Sequence, residues 1–101
     1  MEFTKLTQAV VQNAYNYGEK YNIVIDEDFA LVKLMEEMGE LAQAKLIYDK
    51  KSRPEKFLDP DTSKQNIACE LADIMGMSML LADLLDIDLQ QALQKKWIGK
   101  E

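Results

Sequence analysis

The sequence predicts an all-α domain, a bundle of four helices. Apolar residues recur at helical spacing in four separate stretches. No run of useful length alternates as a strand would, and the breaks between stretches carry Asp, Asn, Pro and Thr in helix-capping positions.

The first stretch runs from Phe3 to Tyr21, with Leu6, Ala9, Val10 and Asn13 through Tyr17 at helical spacing. Asn22 to Asp28 interrupts it, and Asp26 or Asp28 can cap the next helix. That second helix is predicted from Phe29 to about Lys50. Leu31, Leu34, Met38, Leu41, Ala42, Leu46 and Ile47 give it a wide apolar face. Gly39 inside it costs roughly 1 kcal/mol relative to Ala, which marks a close approach by another helix or a ligand. Lys51 to Asp61 is a connector with Pro54 and Pro60. Thr62 and Gln65 have the spacing of a capping box and predict the start of a third helix, reaching about Leu85. The fourth is predicted from Asp88, as N-cap with Gln91 as reciprocal partner, to about Ile98. Residues 1–101 make one domain. Apolar faces on four helices in so short a chain predict that oligomerisation completes the bundle, as a homodimer or homotetramer.

Composition excludes several classes. Eighteen acidic against 12 basic residues give a net charge of −6, so duplex nucleic acid, which needs a basic surface, is not a partner. The N-terminal stretch is broken by polar residues throughout and reads as neither a signal peptide nor a membrane span. The single Cys69 makes no internal disulfide, which suits a reducing, cytoplasmic setting; it is expected as a small buried apolar residue. Histidine is absent, so imidazole-based triads and the usual zinc sites are excluded.

Carboxylates stand where a core calls for Leu. Glu37 lies between Leu34 and Leu41, three and four residues away, and Glu40 follows at i+3. Glu70 sits in the apolar stripe Ile67, Ile74, Met77, Leu81, and Asp73 again follows at i+3. One acid pair at this spacing is ordinarily a solvated face. Two pairs beside apolar stripes are different, because Leu34–Ala44 and Gln65–Asp83 contain no Lys or Arg to neutralise them. A cation from solution is the simplest compensation, and an oxygen-only site suits Mg²⁺ or Mn²⁺. Glu36 belongs to the cluster by sequence and points nearer solvent on the wheel. Asp59, Asp61, Ser63 and Glu70 mimic EF-hand positions 1, 3, 5 and 12, but Lys64 replaces the required Gly and Pro60 lies inside the loop.

Glu36-Glu37-Met38-Gly39-Glu40 followed by Glu70-Leu71-Ala72-Asp73 resembles the EExxE…ExxD signature of the MazG-like, all-α nucleoside triphosphate pyrophosphohydrolases. The resemblance covers roughly residues 28 to 96, including Leu34–Ala44 and Glu70–Leu93. It implies a MazG-type bundle and a Mg²⁺-dependent hydrolase that splits a (d)NTP into a monophosphate and pyrophosphate, with house-cleaning of modified nucleotides as a family-level role. By position it makes Glu37, Glu40, Glu70 and Asp73 the metal ligands, and Glu37 or Glu36 the acid that activates water. Lys96 matches the Lys of a Lys…Asn phosphate-holding pattern, and Lys100 stands where the Asn is expected. Met75-Gly76-Met77 occupies the place of the Tyr-His pair of phosphoribosyl-ATP pyrophosphohydrolases, which argues against that branch.

From the residues themselves, Lys33, four before Glu37, is a candidate to reach phosphate, and Asn13 and Asn66 are candidates for base or phosphate. Tyr15, Tyr17, Tyr21, Phe29 and Trp97 are candidates to stack a base. Met35, Met38, Met75, Met77 and Met79 read as adaptable core packing. The alternatives are a non-catalytic helical dimerisation module and a nucleotide-binding relative with little turnover.

Overall fold

The computed structural model describes residues 1–99 and is all-helical. The order is α1 (Phe3–Tyr21), α2 (Glu27–Tyr48), a 3₁₀ turn (Pro54–Lys56), α3 (Pro60–Leu84) and α4 (Leu89–Leu93), which widens into a π turn at Gln94–Ile98.

Short-range polar contacts set the boundaries. Asp26 starts α2 by accepting the Phe29 N–H at 2.8 Å, and Asp88 starts α4 by accepting the Gln91 N–H at 3.0 Å. The start of α3 differs from the sequence expectation. Asp59 is the cap, Pro60 takes the first helical turn, and Thr62 lies inside the helix, donating both N–H and hydroxyl to Asp59. Proline's fixed φ and missing N–H suit that first turn, so the helix begins earlier than a Thr62 cap allows. The same geometry removes any EF-hand loop. The last helix reaches Ile98 as expected, but only its first five residues are α-helical before the π turn.

One device stops all three long helices. A residue at φ near +57° follows each end: Asn22, Lys50 and Asp86. The next N–H then reaches back to a carbonyl five residues earlier, in Ile23→Gly18, Lys51→Leu46 and Ile87→Ala82, each at 2.8 Å. Gly18 is needed at the first of these. A Cβ there would collide with Ile25 and stand 2.8 Å from the Ile23 carbonyl oxygen.

α2 packs chiefly against α3, and α1 lies on α3. The α2–α3 seam follows a 3-4 spacing: Ala30, Leu34, Glu37, Leu41 and Ala44 on α2, and Ser63, Ile67, Glu70, Ile74, Met77, Leu81 and Leu84 on α3, all buried or half-buried. The densest core sits where α1 meets α3 and the start of α2, around Val11, Ala30, Met79 and Leu80. Tyr15 on α1 ties to Asp83 on α3 by a 2.8 Å hydrogen bond.

One position beyond seven of these seam residues, about 100° around the helix, lie Leu31, Met35, Met38 and Ala42 on α2 and Ala68, Leu71 and Met75 on α3. All are exposed, Met35 at 66%. α1 covers the opposite side, through Val10 against Gly76 and Val11 against Leu80. Of the five methionines expected in the core, only Met79 is buried and Met77 half-buried. Met35, Met38 and Met75 belong to the bare face. Gly39 touches nothing within 4 Å of a Cβ, so no neighbour in the chain requires it. Among the described residues no helix is long and apolar enough to cross a membrane.

Candidate metal centre

Antiparallel packing of α2 and α3 brings the two acidic pairs together. Glu37, Glu70 and Asp73 place carboxylate oxygens within 4.8 Å of one another. Glu40 lies outside that trio, yet it acts electrostatically on both Glu37 and Glu70. The four acids picked from the sequence therefore form one group across the seam.

Glu37 is the innermost, 8% exposed, and its Oε2 is buried without a hydrogen-bond partner. The other partnerless buried side-chain oxygens among the described residues are hydroxyls, Thr7 and Ser52, which bear no charge. Burial is the largest cause raising the Glu37 carboxyl, from 4.5 to about 7; the neighbouring Asp73 and Glu40 carboxyls add to it. Glu70 is raised as well, by desolvation first and then by Glu40 and Asp73. Like charges at this spacing must share a proton or a cation. The oxygen-only donors and the orphaned buried Oε2 fit a hard divalent cation.

Glu36 is apart from the group. Its side chain is 53% exposed and it is ion-paired with Lys33 one turn earlier. That pairing, together with contributions from Glu37, raises the Lys33 ammonium. Lys33 itself lines a cleft of about 330 Å³ between α1 and the α2–α3 pair. Glu37 and Asp73 stand in that cleft, with Asn13 and Tyr17 from α1, Phe29 from α2, and Ala72 and Gly76 from α3. A second cleft opens on the far flank of the acids, lined by Glu40, Gln43, Asn66, Cys69 and Glu70. Asn66 is thus near the acids, on the side away from α1. Cys69 is exposed there, against the expectation of a buried thiol, because the α3 seam runs through Glu70, one position on. Lys96 lies exposed on the terminal turn and lines neither cleft. Lys100 is outside the described residues.

Of the five aromatic candidates, the fold places Tyr17 and Phe29 beside the acids. Tyr15 is committed to Asp83, Tyr21 packs on Tyr17 with ring centres 4.9 Å apart and planes tilted by 52°, and Trp97 is 78% exposed on the terminal turn. Ala72 and Gly76, which floor the cleft, are not among the residues the sequence singles out. Their signal is smallness on the α3 flank facing α1, visible only once α1 is known to lie there.

No protein-family model matches the chain, and neither does any curated protein or solved structure.

Proposed function

We propose that the chain is a Mg²⁺-dependent nucleoside triphosphate pyrophosphohydrolase of the MazG-like kind, splitting a (d)NTP into a monophosphate and pyrophosphate. The observation that carries this is the Glu37–Glu40–Glu70–Asp73 group, in which Glu37 and Glu70 sit in the α2–α3 seam, Glu37 and Asp73 line a cleft, and no acid has a basic ion-pair partner among the described residues. Mn²⁺ is the natural substitute, and house-cleaning of modified nucleotides the role that fits.

In this reading Glu37, Glu40, Glu70 and Asp73 hold the ion, which neutralises phosphoryl oxygens and acidifies water when bound. Glu37 takes the proton at Oε2, the one buried carboxylate oxygen without a hydrogen-bond partner among the described residues. Glu36 orients Lys33, whose ammonium lies at the rim of the same cleft. The α–β anhydride breaks, water supplies the hydroxyl of one product, and the departing pyrophosphate carries the other share of charge. Asn66, and Lys96 and Lys100 from the last turn, are left as phosphate contacts, and a reducing cytoplasm suits the exposed Cys69.

A second copy of the chain belongs on the bare α2–α3 face. The accessible surface is 7683 Å², against about 5,800 Å² for a compact protein of this mass. The radius of gyration is 15.9 Å, against about 13 Å. The excess area is of the size an obligate interface removes from each partner. Two α2–α3 pairs facing each other complete a four-helix bundle, which gives exposed Met35, Met38, Leu71, Met75 and open Gly39 a use. The same face favours the second reading, a dimerisation module without chemistry.

Pyrophosphate release from a panel of standard and modified nucleotides separates the two. Release that needs Mg²⁺ or Mn²⁺ and disappears in Glu70→Gln is expected. A dimer that releases nothing from any nucleotide, with or without metal, leaves the module.

A further inference from the structure

The cleft beside the acids has walls of different charge. α2 and α3 contribute Glu37 and Asp73, whereas α1 contributes only uncharged side chains, Val10, Asn13, Ala14 and Tyr17. The one cation among its described lining residues, Lys33, is already paired with Glu36. Phosphates have no reason to lie against the α1 wall, so that wall receives the uncharged part of a ligand. It is built for a flat ring. Ala72 and Gly76 keep the α3 wall low, Phe29 and Tyr17 supply aromatic surface, and the Tyr21 ring packs against Tyr17 at a tilt of 52°.

Asn13 is the polar reader of that wall. It interrupts the apolar series Val10, Ala14, Tyr17 on α1, as Glu70 interrupts its own stripe on α3. Its amide makes no side-chain hydrogen bond within the described residues, although the neighbouring Gln12 and Asn16 bond to each other at 2.9 Å. A carboxamide presents a donor and an acceptor side by side, which matches the paired groups on the edge of a nucleobase. Glu37, nine-tenths buried and partnerless in the same cleft, is the independent sign that a ligand completes the site.

We infer that Asn13 determines base recognition: the triphosphate lies toward Glu37 and Asp73, and the base enters beneath α1, stacked by Tyr17 and Phe29 and hydrogen-bonded by Asn13. This rests on the pyrophosphohydrolase reading and adds the recognition element and the direction of binding.

The test compares two probes by calorimetry in Mg²⁺. One is a set of α,β-methylene deoxynucleoside triphosphates, which keep the base and resist cleavage; the other is inorganic triphosphate, which has no base. Wild-type protein is expected to bind at least one nucleotide more tightly than triphosphate. Asn13→Ala, which favours the helix and keeps its circular dichroism, is expected to weaken that nucleotide roughly tenfold, the worth of a hydrogen bond or two, and to leave triphosphate unchanged. Tyr17→Ala is expected to act in the same selective way. Equal affinity of both probes for wild type, no change in Asn13→Ala, or an equal loss for both probes would each overturn the base assignment while leaving the reaction class standing. Binding of neither probe would sink the pyrophosphohydrolase reading as well.

Discussion

Glu37 concentrates the conflict between fold and charge in one side chain. Its carboxyl rises from 4.5 to about 7 on folding, so the folded chain takes up a proton there. A carboxyl raised on folding contributes its full stability below about 4.5 and loses it as pH climbs through about 7. Glu70 shifts the same way. In chelator-treated protein the Tm should therefore fall between about pH 4.5 and 7, and Glu37→Gln should remove most of that fall, as followed by thermal melts in parallel buffers. A Tm that rises with pH equally in both proteins would refute the assignment. Mg²⁺ competes with those protons, so it should raise the Tm of wild type more at pH 8 than at pH 6 and hardly affect Glu37→Gln. The four acids were legible in the sequence because a carboxylate in a Leu/Ile stripe with no cation nearby is a conspicuous local pattern. The separation of Glu36 from them was not, because one residue of rotation, about 100°, decides between seam and solvent.

At the scale of the helices, Asp26 and Asp88 were readable as caps because an N-cap bonds only two or three residues ahead. Asp59 was hidden because Thr62 and Gln65 offered a competing motif of the same reach, and Pro60 decided between them. Replacing Asp59 by Ala should cost about 1 kcal/mol of stability in urea melts, whereas Thr62→Ala should cost less. Lys50 holds a left-handed conformation with φ 58° and no Asn-like side chain to support it. Lys50→Gly should stabilise by up to about 1 kcal/mol. Gly18→Ala should destabilise, since the Ile23 carbonyl that would meet the new Cβ is backbone and cannot swing away.

The molecule is a slab of 45 × 40 × 24 Å in which, among the described residues, α1 lies on one side of the central pair and no helix lies on the other. Light scattering should give at least twice the 11.6 kDa chain mass. Replacing Leu71 by Lys, or Met35 by Glu, should shift the protein toward monomer and lower its Tm, because a charge in the middle of the bare face opposes burial. A wild-type monomer at millimolar concentration would remove the second copy and leave the Met-rich face unexplained.

By itself, the sequence determined the helical class, the approximate extent of the three long helices and the carboxylate tetrad. Each of these rests on interactions a few residues apart: helical periodicity, capping reach and the i, i+3 spacing of the acids. The tertiary structure decided which face of α2 and α3 is the seam and which is bare, and sent three expected core methionines outward. It also chose Tyr17 and Phe29 over Tyr15 and Trp97, and brought Asn13 to the acids. Those outcomes depend on where α1 settles on α3, a choice made by packing between residues far apart in the chain, such as Val11 and Leu80, for which spacing along the chain holds no record.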